Sequence, residues 1–144
     1  MPPDCLFCQI VDGTHPAGLV MKNEQAIAFL DHRPVFPGHC LLIPKAHRET
    51  LADLPPAEVG AFFQAAQLLS RAVEEALGAD GSFVAINNRV SQSVPHLHVH
   101  VVPRRKKDGL RGFFWPRGKY GDEGEMEKVR RAISEVLERF RGGG

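Results

Sequence analysis

Apolar residues follow a helical period in two long stretches of the chain. The first stretch opens at Pro55 or Pro56 and ends at Gly78, and this spacing predicts a helix with one face on the core. Its apolar positions are Val59, Phe62, Phe63, Ala66, Leu69, Val73, Ala76 and Leu77. The second helix is predicted to begin near Asp122, where Glu125 completes a capping-box-like pair. Its apolar face consists of Met126, Val129, Ile133, Val136, Leu137 and Phe140.

Shorter apolar runs predict strands. The runs cover residues 19–22, 26–31, 39–43, 82–87 and 96–102. Near the start, Asp4 is predicted to cap a short helix that carries Leu6, Phe7, Ile10 and Val11. Strands grouped between helices predict an α+β fold, with a mainly antiparallel sheet and a long helix packed on it. No repeat or long linker divides the chain, so we expect one domain over residues 1–144 with Gly142–Gly144 as a frayed tail.

Composition narrows the class of protein without naming a function. Apolar residues make up 43% of the 144 residues and charged residues 24%, values typical of a globular protein. The formal net charge is +1, so any attraction to phosphate must come from a local patch. The start of the chain does not resemble a signal peptide, and no run approaches the ~20 apolar residues that span a bilayer. We therefore expect a cytoplasmic protein with no membrane partner.

The segment from His96 to Val102 carries the clearest chemical signal. Side chains alternate across a strand, so His96, His98 and His100 share one face of it. Leu97, Val99 and Val101 share the other face, which suits packing against a helix. Three imidazoles on one face of a strand are unfavourable in a hydrophobic core, because each needs hydrogen-bond partners. From the strand alone, a catalytic role and a structural or metal-binding role are equally open.

This segment matches the histidine, apolar, histidine, apolar, histidine, apolar, apolar signature of the histidine triad family of nucleotide hydrolases and transferases. The resemblance extends in the family's order through residues 5–10, 28–31, 37–39, 43–47 and 92–94. It implies an α+β fold, a homodimer and action on the α-phosphate of nucleotides.

The resemblance assigns the nucleophile to the middle histidine, His98. Neutral imidazole is a good nucleophile at neutral pH, and its attack on phosphorus gives a covalent nucleotidyl-histidine that water can open. His100 is expected to contact phosphate oxygens or to hold the geometry of the nucleophile. Ser93 and the backbone beside Gln92 are expected to donate hydrogen bonds to the developing charge.

Other positions match the family's nucleotide-binding residues. Asp31 corresponds to the carboxylate that accepts the ribose hydroxyls. Leu6, Phe7, Ile10 and Phe29 match the apolar slot for the base, although for any one of them ordinary core packing is the favoured explanation. Asn87 or Asn88 matches an asparagine that contacts phosphate. The segment after Asn88 is shorter than in common family members, so the sequence does not decide between the two.

Cys5 and Cys8 have the spacing of half a tetrahedral zinc site. In some bacterial members of the family, a histidine after the Ile-Pro-Lys strand and the first triad histidine complete the set, and these positions match His47 and His96. A closed Cys₂His₂ set implies a structural zinc, and no organic cofactor is expected. The alternative is a pair of free buried thiols beside a metal-free histidine relay.

The most favoured function is a hydrolase of dinucleoside polyphosphates, such as diadenosine tetraphosphate, or of nucleoside phosphoramidates. A transferase or phosphorylase could use the same histidine, and a slow nucleotide-binding regulatory module could keep the same pocket. Nucleic acid is the least favoured partner. The basic run 104–107 either attracts polyphosphate or is a solvated loop, and the aromatic segment 112–117 either selects the leaving group or fills a dimer interface.

Overall fold

Within residues 2–111 and 116–142, the backbone forms five strands and three α-helices. The structure is a computed structural model that describes residues 2–111 and 116–142. In chain order the elements are α1 (Leu6–Asp12), β1 (Leu19–Lys22), β2 (Ala26–Leu30), β3 (Cys40–Pro44), a 3₁₀ turn (Leu51–Asp53), α2 (Pro56–Leu77), β4 (Gly81–Ile86), β5 (Val99–Arg104) and α3 (Glu123–Gly142). The chain divides into two compact units, Met1–Asp108 and Gly109–Gly144. The aromatic segment around 112–115 lies outside the described residues.

The five strands form one sheet in the order β1-β2-β3-β5-β4, and every pairing is antiparallel. The α+β fold with a mainly antiparallel sheet is therefore confirmed. In the register of β3 and β5, Leu41 lies opposite His100 and Cys40 lies opposite Val101. This pairing brings residues about 60 positions apart in sequence to the centre of the sheet.

The two faces of the sheet carry separate hydrophobic clusters in the first unit. Alternate side chains of β2, β3 and β5, such as Ala28, Leu42 and Val99, pack with α2. The intervening side chains, such as Phe29 and Leu41, pack with α1 on the opposite face. Period-two alternation produces this division. The second and third triad histidines, which alternate with Leu97, Val99 and Val101, belong to the α1 face.

Several predicted details were wrong. The N-cap of α1 is Cys5 and not Asp4, because the Cys8 amide donates to the Cys5 sulfur at 3.4 Å. In α2, Phe63 and Leu77 are each 38% exposed and Ala76 is exposed as well, since the buried seam runs through Phe62, Ala65, Ala66, Leu69 and Val73.

The histidine strand also begins later than predicted. β5 starts at Val99, because the amides just before it bond outside the ladder: His96 N–H donates to Val94 O at 2.8 Å, and Leu97 N–H donates to Arg48 O at 2.6 Å.

In the second unit, α3 starts as expected, since the Asp122 carboxylate accepts from the Glu125 amide at 2.7 Å. α3 extends to Gly142, and the remaining residues of the predicted frayed tail lie outside the described residues. None of the residues of α3 is buried.

Candidate active site and metal centre

The middle histidine of the triad is held in one tautomer. His98 is 3% exposed, and its ring lies 5.0 Å from the rings of both Phe7 and His100. Its Nδ1 lies 2.7 Å from the carbonyl oxygen of His96. A carbonyl can only accept, so the neutral ring carries its proton on Nδ1. The lone pair of Nε2 is therefore available for chemistry.

The surroundings of His98 keep the ring uncharged. Burial lowers the pKa of His98, because the charged imidazolium loses its hydration. The hydrogen bond to His96 O and the negative charge of Asp31 raise the pKa, and the effect of burial is larger. The net direction favours the neutral form, which is the form that can act as a nucleophile.

The third triad histidine is oriented by a residue that the sequence interpretation missed. His39 is 4% exposed, and its Nδ1 accepts a hydrogen bond from Val35 N–H at 3.1 Å. The proton of neutral His39 is therefore on Nε2, which donates to Nδ1 of His100 at 3.0 Å. His100 is then left with its own proton on Nε2. Burial, followed by the nearby His98 and His39, lowers the pKa of His100 to about 4.

The pairing of β3 with β5 shows how a role for His39 beside His100 could have been predicted. His39 precedes β3 by one residue and is two residues from Leu41, which lies opposite His100. Residues two apart on a strand share a face, so an imidazole at position 39 is placed beside His100.

Asp31 lies next to this histidine pair. One carboxylate oxygen accepts from Arg33 N–H at 2.9 Å, and the other lies 3.7 Å from Nε2 of His39. The Asp31 amide donates to the carbonyl of His39 at 2.9 Å, which ties the end of β2 to the start of β3.

A cavity of about 420 Å³ lies over the triad face and brings most of the predicted catalytic and nucleotide-binding residues together. Its lining includes the predicted residues Phe7, Ile10, Phe29, Asp31, Ser93, His98 and His100. It also includes residues to which the sequence analysis gave no role, among them His15, Leu30, Leu41 and Val94. The edge of the Phe7 ring meets both Phe29, at 5.4 Å between centroids, and His98. The cavity therefore combines an apolar wall with a polar end.

The four predicted metal ligands form a second cluster. The sulfur atoms of Cys5 and Cys8 and one nitrogen each of His47 and His96 all lie within 4.8 Å of one another. Nδ1 of His96 is 3.5 Å from Cys5 Sγ and 3.6 Å from Cys8 Sγ, and Nδ1 of His47 is 3.3 Å from Cys8 Sγ. Residues from α1, the segment after β3 and the segment before β5 thus meet at one point.

The donor set fits a thiophilic divalent cation. Nε2 of His96 lies 2.8 Å from Pro44 O, so its proton is on Nε2 and the Nδ1 lone pair is directed at the thiols. Burial, and then the neighbouring Cys5, raises the pKa of Cys8 to about 11. Two thiolates in this buried position therefore need a positive charge between them, and two thiolates with two neutral imidazoles form a zinc-type tetrahedral set.

A family profile described as the HIT domain matches residues 12–107, which is two thirds of the chain. The chain belongs to the HIT family. The resemblance drawn from the histidine strand is confirmed by this match.

Several relatives of this HIT protein carry functional names. An adenylylsulfatase of Arabidopsis thaliana is 36% identical over 74% of the chain, which spans 55% of the plant protein. An adenosine 5'-monophosphoramidase of Saccharomyces cerevisiae is 31% identical over 96% of the chain and 84% of the yeast protein. A bis(5'-nucleosyl)-tetraphosphatase of Schizosaccharomyces pombe is 32% identical, covering 75% of the chain and 59% of that protein.

A solved structure of a Zn-bound histidine triad family protein from Mycobacterium smegmatis shares the fold. Its TM-score is 0.71 at 37% identity, covering 94% of this chain and 97% of that chain. No helix among residues 2–111 and 116–142 has both the length and the apolar character to cross a membrane.

Three predicted substrate ligands of the HIT domain do not line the 420 Å³ cavity. Asn88 accepts from Leu51 N–H at 2.9 Å, and Asn87 donates to Ser91 O at 3.4 Å. Gln92 accepts from Arg89 N–H at 2.8 Å and donates to Glu49 O at 2.6 Å. These carboxamides brace the loop before the triad, and their contact with substrate stays a prediction.

The basic run after β5 has structural partners. Arg104 pairs with Asp108 at 2.5 Å. Arg105 donates to the carbonyls of Leu77 and Gly78 at 2.5 Å and 2.7 Å, which caps the end of α2. At least half of the run therefore stabilises local structure.

Proposed function

We propose that this protein hydrolyses nucleotides at the α-phosphate through a covalent nucleotidyl-histidine on His98. The hydrogen bond from Nδ1 of His98 to the carbonyl oxygen of His96 carries the proposal, because it fixes the nucleophilic lone pair on Nε2. The ring is buried, uncharged and part of the cavity lining.

The cavity suggests how a nucleotide is held. Its apolar side, with Phe7, Ile10 and Phe29, suits a planar base. Asp31 suits the ribose hydroxyls, because a carboxylate can accept two hydrogen bonds. The phosphate then lies by the triad, where Nε2–H of His100 and the hydroxyl of Ser93 are donors for its oxygens.

The reaction balances in two steps. Nε2 of His98 attacks the α-phosphorus, a P–N bond forms, and the bond to the leaving phosphate or amine breaks. The leaving group takes up a proton from solvent or from a donor in the cavity. Water then attacks the phosphorus, the P–N bond breaks, and nucleoside monophosphate is released with the loss of a proton.

We propose dinucleoside polyphosphates or nucleoside phosphoramidates as the substrate class. The names of the yeast and fission-yeast relatives support both chemistries. A side-by-side measurement of kcat/KM for diadenosine tetraphosphate and adenosine 5'-phosphoramidate ranks them.

The test is intact-protein mass spectrometry after a rapid quench with each substrate. We expect a transient adduct of one nucleoside monophosphate in the parent protein and none in His98→Ala. His32→Ala is the matched control, because it removes a different imidazole that lines the same cavity. It should keep the adduct.

Other outcomes would replace the proposal. Full turnover in His98→Ala would rule out the covalent route. An adduct that transfers to an added acceptor faster than to water would identify a transferase or phosphorylase. Saturable binding without product over hours would identify a nucleotide-binding regulatory module.

We further propose that Cys5, Cys8, His47 and His96 hold a structural Zn²⁺. The bound ion would tie α1 to the segment that carries the triad, and it has no open ligand position for catalysis. Metal content by mass spectrometry should fall by at least about tenfold in Cys5→Ser. Cys40→Ala is the matched control, since Cys40 is a buried free cysteine outside the four-residue set. Equal metal content in both variants would contradict the ligand set.

A further inference from the structure

A second group of metal-ligating side chains lies at the polar end of the 420 Å³ cavity, apart from the proposed zinc site. It consists of Asp31, His39 and His100, each of which offers one ligand atom, and these three atoms all lie within 4.8 Å of one another. Asp31 and His100 line the cavity, while His39 is 4% exposed. Two imidazoles with one carboxylate are a recurring ligand set for divalent transition metals. The group therefore has the composition of a metal site as well as that of a hydrogen-bonded relay.

The distances within the group are close to those that a shared ion imposes on its ligands. Nε2 of His39 lies 3.0 Å from Nδ1 of His100 and 3.7 Å from Oδ2 of Asp31. Bonds of about 2.0–2.2 Å to one ion hold the ligand atoms about 3.0–3.5 Å apart. The two nitrogens are thus already at a suitable separation, and the carboxylate has to move by only a few tenths of an ångström.

The ligand atoms also have the right charge and orientation. Oδ1 of Asp31 accepts from Arg33 N–H at 2.9 Å, so Oδ2 is the oxygen that is directed at the imidazoles. His100 carries its proton on Nε2, and its Nδ1 lone pair points at His39. One carboxylate with two neutral imidazoles has a net charge of −1, which suits a divalent cation.

Binding of an ion requires one proton to change position. Val35 N–H donates to Nδ1 of His39 at 3.1 Å, which keeps the His39 proton on Nε2. An ion on Nε2 needs that lone pair, so the proton moves to Nδ1, and the ring stays neutral with no net release of a proton. The Val35 amide can then donate to water, because Val35 is 52% exposed. This exchange, together with the smaller number of ligands, makes the site weaker than the proposed zinc site.

We propose that Asp31, His39 and His100 form a second binding site, for a divalent transition-metal ion that competes with the ribose of the nucleotide. The site itself rests on the ligand geometry alone. The competition rests on the proposed function, since Asp31 is the carboxylate proposed to accept the ribose hydroxyls. Three protein ligands leave at least one coordination position for water. An ion held there occupies Oδ2 of Asp31, so the affinity for nucleotide falls as the concentration of the free ion rises.

A cobalt titration tests the ligand set, with the proposed zinc site first saturated with Zn²⁺. We expect one Co²⁺ to bind per chain, with visible d–d absorption and without the near-ultraviolet charge transfer that thiolate ligands give. Asp31→Asn, which is nearly isosteric, and His39→Ala should each weaken Co²⁺ binding at least about tenfold. His32→Ala is the matched control, because its exposed imidazole lines the same cavity but lies outside the three-residue set. It should bind Co²⁺ as the parent does.

NMR of the histidine rings tests the predicted change of tautomer. Long-range correlations between ring protons and ring nitrogens identify which nitrogen carries the proton. As Zn²⁺ is added beyond saturation of the first site, His39 should change from Nε2–H to Nδ1–H, while His98 keeps its proton on Nδ1. A bound ion with no change of tautomer at His39 would exclude this residue as a ligand.

A pair of nucleotides tests the competition. AMP and dideoxy-AMP share the base and the phosphate, so both chelate Co²⁺ in solution to the same extent, and only AMP has the ribose hydroxyls. Saturating AMP should raise the apparent Kd of Co²⁺ at least about tenfold, whereas saturating dideoxy-AMP should leave it within about threefold.

The outcomes distinguish this proposal from the proposed function. Equal Co²⁺ binding in the parent, Asp31→Asn and His39→Ala, or a thiolate charge-transfer band, would overturn the metal site. Equal displacement of Co²⁺ by both nucleotides, or none by bound AMP, would overturn the competition with ribose. If Co²⁺ binds to the three-residue set but calorimetry detects no binding of either nucleotide, the metal site is supported and the proposed nucleotide function is refuted together with the competition.

Discussion

Replacing His39 with alanine should affect catalysis through His100. The substitution removes the acceptor of the Val35 amide at 3.1 Å and the donor to Nδ1 of His100 at 3.0 Å. An unsatisfied buried polar group costs about 1–3 kcal/mol. His100 is partly buried, whereas Val35 is 52% exposed and water can satisfy its amide, so the free energy of unfolding should fall by about 1–3 kcal/mol. Without the donor, His100 is free to change its ring orientation and tautomer.

The expected effect on activity is larger than the loss of folded protein can explain. A misplaced group in an active site can cost about 100-fold in rate, and we expect kcat/KM for adenosine 5'-phosphoramidate to fall by that order in His39→Ala. His39→Gln retains both an acceptor and a donor on its carboxamide, so it should recover at least about tenfold of the loss. Steady-state kinetics and urea unfolding of the same preparations give the two quantities.

The reasoning would be refuted by either of two results. If His39→Ala kept kcat/KM within about threefold of the parent, His39 would not orient a group that the reaction needs. If His39→Gln lost as much activity as His39→Ala, the hydrogen bonds would not be the cause of the loss. His32→Ala controls for the removal of an imidazole, and because His32 is exposed it should change the free energy of unfolding by no more than about 0.5 kcal/mol.

Three further predictions concern stability. The pKa of His100 is about 4 in the folded protein against 6.5 ordinarily, so its contribution of no more than about 3 kcal/mol is present above pH 6.5 and lost as the pH falls toward 4. His100→Asn should reduce the pH dependence of the free energy of unfolding over this range, and the rest comes from groups such as His96, whose pKa burial also lowers to about 4. Gly38→Ala should destabilise by about 2 kcal/mol in urea unfolding, because φ is +100° and a Cβ would lie 2.0 Å from Leu77 Cδ1. Arg105→Gln should lower the free energy of unfolding by about 1 kcal/mol through the lost α2 cap. An unchanged KM for diadenosine tetraphosphate in this variant would confirm that its role is structural.

The periodic elements could be predicted from the sequence, because their pattern is repeated over many residues. The middle of the predicted α2 seam, from Val59 to Val73 without Phe63, and the alternation of Leu97, Val99 and Val101 both follow from single periods and reappear in the core. The exact ends of elements depend on individual hydrogen bonds instead. The cap of α1 is an example, where a cysteine sulfur takes the place that a nearby Asp4 was expected to fill.

Contacts between distant loops could not be predicted for a related reason. The sequence around an asparagine or glutamine does not show whether its carboxamide binds substrate or a backbone amide. In this protein the amides of Arg89 and Leu51 donate to Gln92 and Asn88, and neither carboxamide lines the cavity. Only the fold of the loop decides between the two partners.

His96 and His98 hydrogen-bond to backbone carbonyls through different ring nitrogens. This difference decides which nitrogen of each ring keeps a free lone pair, and so which chemistry is proposed for each histidine. His96 gives its Nε2 proton to Pro44 O and so presents Nδ1 to the sulfur atoms of Cys5 and Cys8. His98 gives its Nδ1 proton to the carbonyl of His96 and so leaves Nε2 free for the proposed attack on phosphorus. The residue proposed to complete the zinc site therefore also supplies the oxygen that fixes the tautomer of His98. A cation bound to Nδ1 of His96 would restrain that carbonyl without touching the substrate, which is how a closed structural site can still influence the rate of the reaction.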